Sequence, residues 1–197
     1  MNRPVPRIVG ARTVLTLPPP AAAPRVLAYF VKNRARLEPV SPPWAEGFFT
    51  REYFERRLAA SREDWQHDAS LRMFLFARHS AGARDAEDGP VVGVVSFTQF
   101  VRLAWLRCVL GYSIDQDHEG QGLLREALEG AIAFVFDELR FHRIEANYIP
   151  TNERSGNLLR RLGFDVEGYA RDYLYLGGRW RDHVLTSKTN PRPLTPA

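Results

Sequence analysis

The hexapeptide Asp117-His-Glu-Gly-Gln-Gly122 lies between a predicted strand, residues 105–114, and a predicted helix that begins at about Leu123. Aromatic and branched side chains are frequent in the first segment, which favours an extended conformation. The glycines permit positive φ angles and close approach of the backbone to a ligand. The first N–H groups of a helix lack intrahelical partners, and the helix dipole there favours an anion. The stretch is therefore predicted to bind phosphate groups through its backbone.

The segment after the hexapeptide is predicted to be one long amphipathic helix. A dinucleotide fingerprint would need a third glycine where Arg125 stands, and it would follow a first strand instead of lying mid-chain. No Gly-Lys-Ser/Thr follows, which excludes a nucleotide P-loop. A plain strand-to-helix turn, with glycines needed for geometry alone, stays open. The apolar residues that recur at three- and four-residue intervals are Leu124, Leu128, Ala131, Ile132, Val135 and Leu139.

The composition predicts one domain over residues 1–197. With 45% hydrophobic and 12% aromatic residues, the chain has enough apolar side chains for one substantial core. Residues 1–10 and 190–197 contain prolines and no apolar run, so both ends are expected to be loose. No segment approaches the ~20 apolar residues of a membrane span. The protein is therefore expected to be soluble and cytoplasmic, with no membrane partner.

The cysteine and histidine content argues against a metal site. Cys108 is the only cysteine, which excludes an intramolecular disulfide and a cysteine metal cluster and fits a reducing cytoplasm. It is predicted to be a small core residue, and a catalytic thiolate is the alternative. The five histidines show no His-x-x-x-His spacing. The net charge of +4 fits a polyanionic cofactor or a partner embedded in nucleic acid, and charge alone does not separate the two.

Hydrophobic periodicity predicts an α/β (α+β) fold, with a mixed, mostly antiparallel sheet of about seven strands flanked by helices. Residues 81–90 are a predicted surface turn, and Gly177-Gly178 is a predicted hairpin turn. Trp44 and Phe48, in the first long loop, either line a substrate groove or belong to the core. The predicted strands are residues 12–17, 71–78, 91–100, 105–114, 143–149, 165–176 and 180–189, and the predicted helices start at Pro24, after Thr50, at Leu123 and at Asn152.

Several short motifs follow the long helix in order. Arg143-Ile-Glu-Ala-Asn147, Asn152-Glu-Arg-Ser155 and Leu162-Gly-Phe164, together with the loop of residues 119–124, resemble the GNAT acetyltransferase superfamily. The segment of residues 142–150 and the motif Trp180-Arg-Asp-His-Val184 resemble, more specifically, the RimJ type of ribosomal-protein N-terminal alanine acetyltransferases. The resemblance covers most of the chain and is strongest over residues 111–186.

The resemblance implies a GNAT-like fold that binds acetyl-CoA as cosubstrate, without a metal. The diphosphate of coenzyme A is expected on backbone N–H groups of the loop. Its pantetheine arm is expected in a cleft where the strand of residues 105–114 splays from the next strand. The implied cofactor-binding residues are Ile114, Asp115, Gln116, Glu119, Gly120, Gln121, Gly122, Leu123, Leu124, Arg125, Asn152 and Ser155.

The loop departs from the family pattern Gln/Arg-x-x-Gly-x-Gly/Ala at both ends. Glu119 occupies the first position, and a carboxylate beside a diphosphate is unfavourable, so its side chain is expected to point outward. Leu124 replaces a small residue, and its side chain is expected to turn into the core. Asn152, which the resemblance places on coenzyme A, is also predicted to be an ordinary N-cap.

Three residues are candidates for the acetyl-transfer step: Ser155, Glu145 and Asn147. Relatives in the superfamily place a glutamate where this chain has Asn147. Glu145 is the candidate base or water-holder, and pairing with a surface arginine is the alternative. Glu167 and Asp182 are more remote candidates for the same role. Ser155 is the candidate acid for the leaving sulfur, although a thiolate whose thiol has a reference pKa of ~8.5 also leaves unaided.

The acceptor is expected to be an N-terminal amine. Its reference pKa of ~7.7 to 8.0 lies well below the ~10.4 of lysine, so an N-terminal amine needs only a mild base. Backbone N–H groups of residues 113–115 are the expected oxyanion donors. The expected partner is the N-terminal alanine of a ribosomal protein, with no sequence-specific nucleic acid, and the chain is expected to be a monomer or homodimer. The alternatives are acetylation of a small amine, amino acid or antibiotic, and a ribosome-associated binding or assembly factor.

Overall fold

The computed structural model describes residues 3–78, 88–192 and 194. The strands are β1 (Arg7–Val9), β2 (Thr13–Thr16), β3 (Leu71–Ala77), β4 (Val91–Val101), β5 (Arg107–Ile114), β6 (Arg143–Glu145), β7 (Asp165–Leu176) and β8 (Arg179–Thr189). The α-helices are α1 (Ala23–Lys32), α2 (Arg34–Leu37), α3 (Arg51–Gln66), α4 (Leu123–Asp137) and α5 (Glu153–Arg161). Short 3-10 turns occupy Pro20–Ala22, Glu38–Val40 and Gln116–His118.

One sheet contains the eight strands in the order β1-β2-β3-β4-β5-β6-β8-β7. All neighbours are antiparallel except β5 and β6, which pair in parallel through three residue pairs, from Arg107–Arg143 to Val109–Glu145. Helix α4 is the crossover that this parallel connection requires. The mixed, mostly antiparallel sheet flanked by helices confirms the predicted fold class.

The parallel pair opens into a cleft beyond Glu145. The chain turns away from β5 there: Ala146 N donates to Thr186 O at 3.0 Å, and Tyr148 pairs with Val184. The remaining half of β5, residues 110–114, keeps β4 on one side and has no strand on the other among the described residues. The structure thus contains the splay that the resemblance implied between these two strands.

Apolar layers cover both faces of the sheet and fix its position between the helices. On one face, α4 and α5 pack on alternate residues of β3, β4 and β5, such as Leu71, Phe97 and Cys108. On the other face, α1 and α3 pack on residues such as Phe74 and Phe76. This second layer covers the end of the sheet near residue 114 and leaves the opposite end of the same face open. Trp44 and Phe48 stack at 4.8 Å beside this layer, and both are half-buried.

Side-chain caps start two of the helices where the sequence predicted them. Thr50 Oγ1 accepts from Tyr53 N at 3.2 Å at the start of α3. Asn152 Oδ1 accepts from Ser155 N at 3.2 Å at the start of α5. Each cap satisfies an N–H group that has no partner inside its helix. The predicted helix of residues 24–37 is interrupted at Asn33, whose side chain donates to Tyr29 O at 2.9 Å.

The described parts of the two ends are held in place, which differs from the expected loose termini. Strand β1 was missed because three residues give too short a pattern. Arg3 anchors the segment before it by donating from its backbone N to Gln66 Oε1 at 2.7 Å and by stacking 3.5 Å from the Trp65 ring centroid. At the other end Asn190 is buried and donates to Phe136 O at 3.2 Å. These long-range contacts leave no local pattern in the sequence.

Two other segment boundaries differ from the prediction. The strand expected over residues 143–149 ends at Glu145, because the following residues pair with β8 through isolated contacts. The turn predicted over residues 81–90 lies outside the described residues, except for its last three. No helix in the described parts of the chain is long and apolar enough to span a bilayer.

The β7–β8 hairpin closes against the loop after α2. Its turn is Gly177-Gly178, as predicted, with φ angles of 56° and 80°. Gly177 N donates to Ser41 O at 3.0 Å. A Cβ on Gly177 would collide with the Pro39 carbonyl oxygen and lie 2.8 Å from the Pro39 carbonyl carbon, whereas a Cβ on Gly178 would meet nothing within 4 Å. The absence of a side chain at Gly177 therefore permits this contact.

We expect Gly177→Ala to destabilise the protein more than Gly178→Ala. Both substitutions place alanine at a positive φ, which costs about 1 to 2 kcal/mol. Gly177→Ala also collides with the Pro39 backbone, which adds about 1 to 3 kcal/mol. Urea unfolding of both variants measures the difference. Equal losses of unfolding free energy would show that the hairpin does not press on Pro39.

Candidate active site

The loop between β5 and α4 carries a row of unpaired backbone donors. We call residues 119–125 the phosphate cradle. Gly120 and Gly122 have φ angles of 72° and 77°, which an L-residue with a side chain rarely adopts. The N–H groups of residues 120–125 donate no hydrogen bond to any other described residue. They lie at the N-terminus of a 15-residue helix, where the helix dipole favours an anion. The cradle therefore suits a phosphate group.

Arg12 brings a positive charge to the phosphate cradle. Its Nη1 donates to Gln121 O at 2.9 Å, and a Cβ on Gly122 would lie 3.3 Å from its Nη2. Glu126 holds this arginine through Nε at 3.2 Å and through its backbone N at 2.8 Å. The Glu126 carboxylate offsets the repulsion between this guanidinium and the positive end of the helix, so Arg12 stays in place beside the phosphate cradle. No sequence pattern indicated this residue, because it lies more than a hundred positions before the loop.

Asp115 fixes the start of the loop to the N-terminal helices. Its side chain is 3% exposed, and it accepts from Lys32 Nζ at 2.9 Å, Asn33 Nδ2 at 3.1 Å and Asp117 N at 2.9 Å. Burial acts to raise the pKa of Asp115, but these hydrogen bonds outweigh it and lower the pKa to about 2. Asp115 was predicted as a cofactor contact through its backbone. Its side chain is instead an internal support of the loop.

The two residues that depart from the family pattern have partners that the sequence did not reveal. Glu119 is not free in solvent, because its carboxylate accepts from both Arg36 and Arg154. These two guanidinium groups neutralise the carboxylate at the edge of the phosphate cradle. Leu124 packs against the core, as expected.

The cleft beside β5 is lined by hydroxyl groups. Tyr112 Oη and Ser155 Oγ are 2.7 Å apart, which joins β5 to the first turn of α5 across the cleft. Burial raises the pKa of Tyr112 to about 12, so its hydroxyl stays protonated at neutral pH. On the opposite face of β5, Tyr29 donates to Ser113 Oγ at 2.7 Å. Sequence analysis missed both tyrosines, because neither belongs to a motif.

The backbone of β5 offers a donor toward the cleft. Asp115 N donates to Val92 O at 2.8 Å, so this amide is already occupied. Successive N–H groups of a strand point to opposite edges. The N–H of Ile114 therefore points away from β4 and into the cleft. Within the predicted range of residues 113–115, Ile114 is the residue whose amide is placed to meet an oxyanion.

The carboxylates considered as bases are all engaged. Glu145 accepts from Arg107 Nη1 at 3.0 Å and from Arg143 Nε at 3.0 Å. Glu167 also binds Arg143, and this ion pair lowers its pKa to about 2. Asp182 accepts from Tyr169 and from the backbone of Asp172, and the hydrogen bond from Tyr169 lowers its pKa. A carboxylate held in this way is a weaker proton acceptor. The alternative in which Glu145 pairs with an arginine is the arrangement observed.

Asn147 connects the segment after β6 to the hairpin. Its Oδ1 accepts from Thr186 N at 3.1 Å, and its Nδ2 donates to Tyr173 Oη at 3.2 Å. Tyr173 lies on β7 and also contacts the buried ring of His183 at 5.3 Å between centroids. Asn147 thus holds Tyr173 at the border of the sheet face that α1 and α3 leave partly open. Tyr173 is a further residue at this site that the motifs did not indicate.

Burial decides between the two roles that the sequence left open for Cys108. Cys108 is fully buried, and burial raises its pKa to about 12, so it is a core residue and not a thiolate nucleophile. Among the described residues, no group of three or more metal-ligating side chains comes together.

The splayed strands, the glycine loop and the long helix have the arrangement of a known family. Residues 12–165 match the family model described as an acetyltransferase (GNAT) domain. The chain belongs to the GNAT acetyltransferase family. It is an acetyl-CoA-dependent N-acetyltransferase.

Individual GNAT relatives extend the likeness along nearly the whole chain. The ribosomal protein uS5-alanine N-acetyltransferase of Escherichia coli is 40% identical over 190 residues, which are 96% of this chain and 94% of that protein. The crystal structure of a ribosomal-protein-S5-alanine acetyltransferase from Vibrio fischeri superposes with a TM-score of 0.86 at 33% identity, over 95% of this chain and 100% of that one. Mycobacterium smegmatis RimJ in complex with CoA-disulfide shares the fold, with a TM-score of 0.82 at 23% identity, over 94% and 86% of the two chains.

The predicted site residues of this GNAT protein form two groups in the structure. The loop residues, Asn152 and Ser155 lie along the phosphate cradle and the cleft. Glu145 lies in the last residue pair of β5 and β6, and Asn147 lies just beyond it, on the side of the sheet that α1 and α3 leave partly open. The residues of the site that the sequence did not indicate are Arg12, Tyr29, Lys32, Asn33, Tyr112 and Tyr173.

We expect Asp115→Asn to lower stability in a pH-dependent way. The pKa of Asp115 is about 2 in the folded protein, against an ordinary value of 3.8, so the charged form stabilises the fold above pH 4. This contribution is about 2 kcal/mol and disappears as the pH falls from 4 to 2. Urea unfolding at several pH values measures the gap between the wild type and the variant.

Asp117→Asn is the matched control, because Asp117 shares Lys32 but is 63% exposed. Its effect should be small at every pH, since exposed ion pairs contribute little. A gap for Asp115→Asn that is the same at pH 2 and pH 7 would contradict the role of this carboxylate.

Proposed function

We propose that this protein transfers the acetyl group of acetyl-CoA to the N-terminal alanine α-amine of a ribosomal protein, by direct attack in a ternary complex. The observation that carries the proposal is the 40% identity, over 96% of the chain, with a uS5-alanine N-acetyltransferase. The likeness includes both the loop at α4 and the β7–β8 hairpin. The reaction would take place in the cytoplasm, within one domain that spans the chain.

The phosphate cradle, the open edge of β5 and the splay follow one another, in the order in which the parts of coenzyme A would bind. The phosphate cradle and Arg12 would hold the diphosphate, because they combine unpaired N–H donors with a positive charge. The open edge of β5 would hold the pantetheine amides, because residues 110–114 have no strand partner there. The thioester supplies the acetyl group. It would then lie at the splay, beside Tyr112 and Ser155.

The acceptor amine needs little help to lose its proton. An N-terminal amine has a reference pKa of ~7.7 to 8.0, so a useful fraction is neutral at physiological pH. None of Glu145, Glu167 and Asp182 is free to act as a strong base, because each is held by hydrogen bonds or arginines. Water at the partly open face of the sheet would accept the proton of the acceptor amine. This arrangement favours an α-amine over a lysine, whose deprotonation costs about 3 to 4 kcal/mol more than that of the α-amine.

Two donors would stabilise the charges that develop during transfer. The N–H of Ile114 faces the cleft and would bind the oxyanion of the tetrahedral intermediate. Tyr112 stays protonated and would donate to Ser155 Oγ in this step, because either hydroxyl can be the donor of their hydrogen bond, and the hydrogen of Ser155 would then point to the departing sulfur. Ser155 then acts as a hydrogen-bond donor to a thiolate and need not transfer a proton, since the thiol has a reference pKa of ~8.5.

Incubation with acetyl-CoA and three classes of acceptor, read by intact mass, tests the proposed function. The acceptors are a peptide that begins with alanine, the same peptide with a blocked N-terminus and an internal lysine, and free small amines. We expect a single acetyl group on the first peptide alone. Acetylation of free amines but not of the peptide would contradict the proposal, and so would binding of acetyl-CoA without turnover.

We expect Arg12→Gln to raise the KM for acetyl-CoA by about tenfold with little change in kcat, since one charge-assisted contact to phosphate is worth about 1.5 kcal/mol. S-Acetylpantetheine lacks the diphosphate, and its turnover should be unaffected by the substitution. Arg160→Gln, on the exposed side of α5, is the control and should leave the KM and kcat for both thioesters unchanged. An equal loss with both thioesters would show that Arg12 acts on the fold and not on phosphate.

A further inference from the structure

The open face of the sheet forms a floor that runs away from the cleft. Arg72 of β3, Ser96 of β4 and Gly111 of β5 lie opposite one another in register, and all three are at least partly exposed. A Cβ on Gly111 would lie 3.2 Å from Ser96 Oγ, so both positions project from the same face. Phe74, two residues after Arg72, packs under α1 and α3 on this face. The floor formed by Gly111, Ser96 and Arg72 thus begins at the splay and ends beside α3.

In the part of the chain that the structure describes, the Arg72 guanidinium has no ion-pair partner. Its Nε is buried and makes no hydrogen bond, and the described residues provide no ion pair for its guanidinium. Burial lowers the pKa of Arg72, and the charge of Arg57 on α3 lowers it further. Burying part of a guanidinium without a compensating bond is unfavourable, so the position is unexpected for a purely structural residue.

The carboxylates around this floor do not neutralise it. Asp64 makes no ion pair with Arg72 and accepts instead from Ser70 Oγ at 3.2 Å. Glu145, at the other end of the floor, is bound to two arginines. Arg57 has no ion-pair partner among the described residues either. Arg57 and Arg72 therefore form an unneutralised cationic pair, and we call it the arginine pair.

The distance from the splay to the arginine pair corresponds to a few residues of an acceptor. Neighbouring strands are about 4.8 Å apart, so Arg72 and Gly111 are separated by about 10 Å. An extended peptide advances about 3.4 Å per residue. An acceptor whose first residue lies at Gly111 would thus bring its third or fourth residue to the arginine pair.

We propose that the arginine pair is an anion subsite of the acceptor groove, which selects N-terminal segments with a carboxylate side chain at the third or fourth residue. The inference rests on the proposed function, because it takes the acceptor to be a polypeptide N-terminus. Arg72 binds the carboxylate, and Arg57 adds charge from the half-exposed side of α3. The acceptor thereby supplies the carboxylate that Arg72 lacks, and this contact positions the acceptor amine at the splay.

Matched peptides test this subsite. Each is a C-terminally amidated octapeptide that begins with alanine and carries one glutamate, at position three, four or seven, or glutamine at the same place. Acetylation rates should give a kcat/KM about tenfold higher for glutamate than for glutamine at position three or four, and no difference at position seven. The preference should weaken as salt increases, because the subsite is partly exposed.

Two variants assign the preference to named residues. Arg72→Gln and Arg57→Gln should each reduce, severalfold, the ratio of kcat/KM for the glutamate peptide to kcat/KM for the glutamine peptide. Arg56→Gln, which alters the exposed neighbour on α3, should retain the full preference. Arg57 lies on a helix surface, so its variant gives a result even where Arg72→Gln fails to fold.

Three outcomes would overturn the inference. Equal rates for glutamate and glutamine peptides would remove the anion subsite while the proposed function stands. A glutamate preference that survives in both variants would place the recognition elsewhere. A failure to acetylate any of the peptides would overturn the proposed function, and the subsite with it.

Discussion

The unpaired N–H groups at the start of α4 are the feature on which the rest of the active site depends. Six consecutive backbone donors, which have no partner among the described residues, are a fixed, preorganised anion site only while the loop before them is rigid. Asp115 provides that rigidity, since its buried carboxylate ties the loop to Lys32 and Asn33. Glu126 provides it from the other side by holding Arg12. Two buried or half-buried carboxylates thus support a site for a polyanion without occupying it.

One sheet can bind both the coenzyme and the acceptor because β5 and β6 separate after three residue pairs. Three residue pairs join β5 to β6, and the chain then follows β8 instead. This divergence exposes one edge of β5 as a backbone recognition surface for the coenzyme. It also opens the floor on which an acceptor can lie. The hairpin that carries Tyr173 borders this floor, and its contact with Pro39 and Ser41 depends on a glycine at position 177.

Local patterns were sufficient for the features that have a period or a motif. The glycine loop, the amphipathic α4, the caps at Thr50 and Asn152 and the Gly177-Gly178 turn all follow from neighbouring residues. Arg12 could not be found in this way, because its place at the cradle depends on a carboxylate on a distant helix. Glu119 is held by Arg36 and Arg154, and Glu145 by Arg107 besides its own neighbour Arg143, so the state of both carboxylates depends on arginines from other elements. Pairing between distant side chains decides which carboxylates are free, and neighbouring residues in the sequence do not indicate that pairing.

The central claim is that backbone amides of the phosphate cradle bind the diphosphate of coenzyme A. Amide NMR of the uniformly ¹⁵N-labelled protein tests it directly, by titration with CoA and, in parallel, with pantetheine. The account predicts that CoA at saturation shifts the amide signals of Gly120, Gly122 and their neighbours up to Arg125 strongly downfield, as expected for N–H groups that gain a charged acceptor. Pantetheine should leave them in place. Unchanged cradle signals at saturating CoA, with shifts confined to another region, would contradict the account.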